Sequence, residues 1–317
     1  MQALEDRLLG FADSAASHLP LPGAGDTPSR HHALSKWGAT DLSFARIAEA
    51  HTDAVAILAE CGRIPRGGAL YGVWASDAPP SRVTCERLDG GEWRIEGIKQ
   101  FCSGAAFVDA ALVTAHHADG TLLFDLPIKA SRALLQPSAW VSPAFADTAT
   151  TAVKFDALVV SDSNRLGGAG WYLDRPGFWH GSLGPAACWA GGALSLIEAA
   201  ASLNRRDPHS RAHVGALEAA AWGLHAVLEQ AGREIDADPQ DSSGTARTRG
   251  LKVRHLIERA CTEVLDRFAR ATGPHLLAYD AHVVRQHQAL ALYIRQCHGE
   301  RDLESIPSDS TAPTPRR

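Results

Sequence analysis

The chain has 317 residues, enough for two or three domains or one large composite fold with a sizeable core. Hydrophobic residues make up 45% and charged residues 21%, as in a folded globular protein, and a net charge of −5 with no long run of Lys and Arg leaves no footprint for nucleic acid or an anionic membrane. The six cysteines, Cys61, Cys85, Cys102, Cys188, Cys261 and Cys297, are scattered without C-x-x-C spacing, so they read as reduced thiols and no metal site is expected.

The opening segment MQALEDRLLGFADSA carries acids early and lacks a basic start followed by an apolar core, which predicts a cytoplasmic protein. Residues 1–67 read as an N-terminal helical domain of about two helices. LPLPGAGDTPS is a turn-rich break, and DLSFARIAEAHTDAVAILAECG has apolar residues at three- to five-residue spacings behind Asp41, a candidate N-cap.

Residues 68–164 form a middle β-domain. LYGVWAS, SRVTCERL, EWRIEGIK, AALVTAHH, TLLFDLPI and TAVKFDALVV are rich in β-branched and aromatic residues, and Asp89-Gly90-Gly91 and Asp119-Gly120 are hairpin signals. Strands confined to residues 68–162 with such turns predict a small barrel or sandwich.

Residues 165–305 return to helical patterns, over Leu183 to Leu203, Ala212 to Ile235, Thr248 to Arg270 and Ala281 to Ser305, which predicts a C-terminal four-helix bundle. GSLGPAACWAGGALSLIEAAASL is nearly free of charge over the ~20 residues that a bilayer requires, but Glu198, Pro185 and the Gly191-Gly192 pair mark it as a tightly packed core helix, and no membrane span is expected. Residues 306–317 are low in bulky apolar residues and read as a disordered tail.

The most informative stretch is EWRIEGIKQFCSGAAFVDAALVTA, residues 92 to 115. Trp93, Ile95 and Gly97 alternate with Glu92, Arg94 and Glu96, the period of a half-buried strand, and Ala110 to Ala115 reads as a strand covered on both faces. Between them an aromatic ring, a hydroxyl and a glycine stand at a strand end, where backbone can approach a planar ligand; a bulge or turn also accounts for them.

This helical, β and helical order resembles the acyl-CoA dehydrogenase superfamily, of which the chain looks like a divergent, shortened member with an α+β fold. The carriers are Trp93, Ile95, Gly97, Lys99, Phe101, Ser103, Val108-Asp109 and Leu112-Val113-Thr114-Ala115, matching W-x-L-x-G-x-K, an aromatic, a hydroxyl residue and A-D-x-x-L-V-x-A; FDALVVSDSNRLG and the helix at Gly191 match further elements. The resemblance implies a flavoprotein oxidoreductase with FAD as cofactor. Phe101 would stack on the isoalloxazine, Cys102 and Ser103 would lie beside N5, and Val73 and Trp74 would form the adjoining strand. It also implies a small-molecule substrate, an acyl thioester in the dehydrogenase case, while the Ala- and Leu-rich surface that the bundle helices keep beyond one stripe predicts a homodimer or homotetramer. Ser81 suits a ligand head group or a turn cap, and a plain core position also suits Trp74.

Several positions depart from that family. Trp74-Ala75-Ser76 stands for Thr-Glu-Pro, Arg205-Arg206-Asp207-Pro208-His209 for the adenosine-binding Arg-x-x-Phe-Gly, and Ala271-Thr272-Gly273-Pro274 for the Gly-Gly-x-Gly loop. The two places for the catalytic Glu fall near Gly181 and near Cys297-His298, and neither is acidic. His180 and His298 stand nearby and become the candidate catalytic residues, as base or as hydrogen-bond donor, against a bland role as polar helix residues. Glu300, Arg301 and Asp302 read as a solvated helix end, and Asp174 with Arg175 as a surface pair. The main expectation is an FAD-dependent oxidoreductase acting on CH–CH groups. The alternatives are a flavin monooxygenase on the same fold and a non-catalytic scaffold.

Overall fold

The structure, a computed structural model, describes residues 2–77, 80–130 and 133–306. Apart from Ile306, the expected disordered tail lies outside the described residues. In chain order the helices Gln2–Ala12 (α1), Thr27–Thr40 (α2) and Leu42–Glu60 (α3) come first. Strands follow at Tyr71–Trp74 (β1), Val83–Arg87 (β2), Trp93–Cys102 (β3), Ala110–His117 (β4), Gly120–Pro127 (β5), Ala133–Leu135 (β6), Thr151–Val160 (β7) and Arg165–Leu166 (β8). The remaining helices are Trp171–Asp174 (α4), Pro176–Gly181 (α5), Leu183–Ser202 (α6), Pro208–Ala237 (α7), Ala246–Thr272 (α8), Pro274–Tyr279 (α9), Ala281–Tyr293 (α10) and Glu300–Glu304 (α11). The chain gathers into two compact units: the segment up to Leu19 with Ser43–Gly181, and Pro20–Leu42 with the segment from Ser182 onward.

In the first unit one mixed eight-stranded sheet runs β6-β7-β3-β2-β4-β5-β8, with β1 paired in parallel to β4. The two hairpin signals form the turns between β2 and β3 and between β4 and β5. Gly91 (φ 83°) and Gly120 (φ 134°) take positive-φ conformations that favour glycine. β4 is buried along Ala110–Ala115, as a two-faced strand requires. Ala111, Val113 and Ala115 enter one core with Leu4 and Leu8 of α1 and Ile47 of α3, while Ala110 and Leu112 enter a second with Ala54, Ile57 and Leu58 of α3. The two short strands β6 and β8, and α1 with its buried Leu4, Leu8 and Phe11, go beyond the sequence expectation of six strands and about two leading helices. Residues 133–135 and 165–166 are too short for a period of two to register.

In the second unit α6 is buried almost throughout, because glycines let it meet α2 backbone to backbone. A Cβ on Gly191 would fall on the Ser35 carbonyl, and one on Gly38 on the Cys188 carbonyl. No helix among the described residues is long and apolar enough to cross a membrane. The end of α2 is closed by buried Gln286 of α10, whose Nε2 donates to Gly38 O (2.9 Å) and Ala39 O (3.2 Å) and whose Oε1 accepts from Leu42 N (3.0 Å). Its start is closed by Asp236 of α7, which accepts from Thr27 N (2.9 Å), Thr27 Oγ1 (2.6 Å) and Gly25 N (3.1 Å). The helix expected from Ala281 to Ser305 stops at Tyr293. A 3-10 turn and extended Cys297 intervene, and Gly299 at φ 56° starts α11 afresh.

Candidate functional site

Strand β3 departs from its regular alternation where it pairs with β7. Lys99 faces Val153 and Cys102 faces Thr151, so three steps on β3 match two on β7. The extra residue is accommodated at Phe101, which adopts φ 57°. A strict period of two would turn Phe101 to the side of buried Lys99. The bulge instead sends Cys102 inward, fully buried, and leaves the Phe101 ring 58% exposed at the strand end. A left-handed backbone in a residue other than glycine costs about 1–2 kcal/mol, a strain that the surrounding pairing sustains.

Next to that ring the Ser103 hydroxyl accepts from Arg46 Nε (2.9 Å) of α3 and lies 3.3 Å from Thr150 Oγ1. A hydroxyl has a single proton, and Thr148 spends its own on Phe145 O, so Thr150 donates to Thr148 and the Ser103 oxygen is fixed between Arg46 and Thr150. The Arg46 guanidinium lies over the Phe145 ring, 5.0 Å from its centroid. Thr150 Oγ1 is 2.8 Å from Thr148 Oγ1, whose own hydroxyl donates to Phe145 O (2.8 Å). Thr150 also lines a cavity of about 270 Å3, with Phe145, Trp140, Leu135, Ala106 and Gln136 among its walls; no wall residue among the described ones is acidic. Arg46, Phe145 and Thr150 carried no sequence signal, since they come from a helix and a loop far from Ser103 along the chain.

The other residues expected at the site sit as follows. Val73 is half-buried on β1, while Trp74 is buried in the sheet core with its indole N–H donating to Ser103 O (3.1 Å). Trp74 thereby positions the Ser103 backbone from beneath. Burial pushes the Cys102 thiol up to about 12, so its side chain is an inert core group. Ser81 Oγ accepts from Gln100 Nε2 (3.0 Å) and ties down the residue before Phe101. Lys99, a carrier of the family resemblance, is buried. It donates to Thr114 Oγ1 (2.9 Å) and Asp77 Oδ1 (3.2 Å), and burial lowers its pKa against the pull of Asp77. Asp77 also meets His116 Nε2 (2.8 Å).

His180 is buried on the short helix α5. Arg175 is not the surface residue the sequence suggested: it is buried against Trp171 and Tyr172 and paired with Glu60 at 2.6 Å. Asp174 is exposed in the last turn of α4.

In the second unit His298 is exposed. Its backbone N donates to Asp302 Oδ2 (3.2 Å), and its Nδ1 lies 3.4 Å from Asp302 Oδ1. Asp302, inside α11, thus reaches back to the chain just before the helix, with Glu300 and Arg301 exposed beside it. The two segments that depart from the family's adenosine- and pyrophosphate-binding elements bind each other. Arg205 donates to Ala271 O (3.0 Å) and Thr272 O (3.1 Å), capping the C-terminal end of α8.

The chain has an α+β fold, and that fold is shared with several solved enzymes. The chain is similar in fold to dibenzothiophene monooxygenase from Paenibacillus sp. A11-2 (TM-score 0.74, 18% identity, covering 96% of this chain and 94% of that one). It is likewise similar to methanesulfinate monooxygenase from Pseudomonas fluorescens (TM-score 0.74, 18% identity, 97% and 90% covered). A third similar structure is KijD3, solved with FMN and a dTDP-linked amino sugar (TM-score 0.74, 16% identity, 97% and 93% covered). The Paenibacillus enzyme has also been solved with FMN and indole. No protein-family model matches the sequence, and no curated protein matches it.

Proposed function

We propose that this protein is a flavin-dependent monooxygenase, the alternative reading of the sequence rather than its main one. The carrying observation is the Phe101 bulge beside Ser103: an exposed aromatic face held in a strained backbone, next to a hydroxyl that Arg46 and Thr150 fix in place. Such a pair suits a flat, electron-accepting ring. Phe101 covers one face and keeps water from it, Ser103 offers a hydroxyl for hydrogen bonding to the ring, and Arg46 fixes that hydroxyl. When bound, reduced flavin supplies two electrons with which molecular oxygen delivers one atom to a substrate and the other to water.

Two observations favour this reading over a dehydrogenase. Proton abstraction beside a thioester requires a general base, and the cavity that shares Thr150 with the Ser103 network has no carboxylate, histidine, lysine or tyrosine among its described walls. Fold neighbours at this TM-score are named as monooxygenases. FMN is the favoured cofactor in place of the expected FAD. Arg205, at the place of an adenosine-binding element, spends its guanidinium on α8 carbonyls, and neighbours are solved with FMN. The substrate is a small molecule held in the cavity. His180 and His298 are assigned no step in this reading. Self-association as a homodimer or homotetramer belongs to it, covering exposed apolar side chains of the helical unit such as Leu256 and Tyr279; light scattering that gives a monomer mass would remove that part.

The test is titration of purified protein with oxidised FMN and FAD, followed by turnover with a flavin reductase supplying reduced flavin under air. Tighter binding of FMN and oxygen-dependent modification of a neutral aromatic substrate are expected. Anaerobic bleaching of bound flavin by an acyl thioester would favour the dehydrogenase instead. Failure to bind either flavin would leave a scaffold.

A further inference from the structure

A second cavity, of about 310 Å3, lies in the helical unit between α2 and α7, and none of its lining residues belongs to the proposed oxygenase site. The two helices contribute matching stripes. Pro28, His31, His32 and Ser35 stand at i, i+3, i+4 and i+7 on α2, and Trp222, His225, Ala226 and Glu229 stand at the same intervals on α7. That spacing is one helix face, so two faces oppose each other across the gap. The gap is a wedge with a closed end. At Gly232 the helices touch so closely that a Cβ would sit 2.8 Å from Pro28 N, and the Asp236–Thr27 hydrogen bonds clamp them one turn further on.

The polar groups in the wedge are unequally used. His31 is 2% exposed, and its Nδ1 lies 3.1 Å from Leu228 O. A carbonyl only accepts, so Nδ1 carries the ring proton, and in the neutral ring Nε2 holds a lone pair. Burial lowers this histidine to about 4, which keeps the ring neutral at neutral pH. No hydrogen bond engages Nε2 among the described residues, and the Ser35 hydroxyl, in a residue 5% exposed, is also unengaged. Both residues are buried and line the cavity, so a ligand there can supply the partners that the protein does not. No group of three or more His, Cys, Asp or Glu among the described residues is placed to hold a metal ion. A lone pair without a cation site calls for an N–H or O–H donor. Trp222 completes the wedge, with 75% of its surface exposed at the mouth as a flat apolar platform. Glu229 is already tied to Arg233 at 2.7 Å, so the wedge offers no unpaired charge from that side.

We propose that the α2–α7 wedge is a second small-molecule site that takes a flat, uncharged nitrogen heterocycle with one N–H donor and one ring acceptor. Its N–H meets His31 Nε2, its acceptor takes the Ser35 hydroxyl proton, and its face lies on Trp222.

The probes are benzimidazole, which has both groups, and 1-methylbenzimidazole, which lacks the donor, titrated calorimetrically into the full chain. Benzimidazole binding in the millimolar range or better, at least tenfold weaker binding of the methylated probe, and at least tenfold weakening by Trp222→Ala and by Ser35→Ala are expected. Trp222 is exposed, so its removal leaves the fold intact, and the probe pair needs no variant at all. FMN binding by Trp222→Ala is expected to match wild type, which separates this site from the oxygenase reading. No benzimidazole binding, equal binding of the two probes, or binding lost in Trp140→Ala instead of Trp222→Ala would overturn the proposal; the last would place the probe in the sheet cavity.

Discussion

Replacing Phe101 tests the candidate site most directly, because the structure separates what the ring does for the fold from what it does for a ligand. A phenylalanine side chain offers about 200 Å2 for burial, and 58% of this one is exposed. A flavin covering the ring therefore removes about 120 Å2 from water, worth about 3 kcal/mol at 25 cal/mol per Å2. Phe101→Ala should thus weaken FMN binding by about a hundredfold while leaving the apoprotein close to wild-type stability, since little core contact is lost. Phe101→Gly should weaken binding equally but melt higher than the alanine variant. Glycine takes φ 57° without steric cost, and the difference, after its larger loss of chain entropy, is about 1 kcal/mol, or about 2 °C in a chain of this size. The assays are quenching of flavin fluorescence and thermal unfolding of the apoprotein. Unchanged FMN affinity in both variants would refute the stacking role, and identical melting of the Ala and Gly variants would refute the strain.

Three further outcomes follow from other contacts. Ser103→Ala removes one hydrogen bond, worth about 1 kcal/mol, so FMN binding should weaken by less than tenfold while turnover with reduced flavin falls further; equal loss of both would reduce Ser103 to a packing role. Gln286→Leu leaves the Gly38 and Ala39 carbonyls and Leu42 N without their partner, which should destabilise the protein by about 2–4 kcal/mol in urea unfolding; a change below ~0.5 kcal/mol would show that other groups replace it. His31 and His51 are both lowered by burial to about 4. The unfolded chain therefore binds more protons between pH 6.5 and 4, and stability should fall as pH drops through that window, by on the order of 3 kcal/mol per histidine. His31→Asn should flatten part of that slope in pH-dependent urea melts, and an unchanged slope would contradict the neutral buried ring.

The sequence by itself determined the order of elements in most of the chain. The two-faced run Ala110–Ala115, the alternation at Trp93–Ile95 and the Gly turns at 91 and 120 are local signals, set by a residue and its near neighbours, and the strands and hairpins stand where they pointed. The long helices α6, α7 and α8 likewise repeat their apolar residues often enough to be read. The tertiary structure alone decided the exit of Phe101 from the sheet, because a bulge arises from the register between β3 and β7 and neither strand encodes it singly. It alone set Trp74 beneath Ser103, buried Arg175 against Glu60, turned Arg205 onto α8, and brought Arg46 and Thr150 to the Ser103 hydroxyl. The wedge between α2 and α7 has the same origin. The His31, Ser35 and Trp222 spacings are legible as helix faces, but that those faces oppose one another follows from backbone contacts at Gly232 and Pro28, made by residues about 200 positions apart, which no period along the chain records.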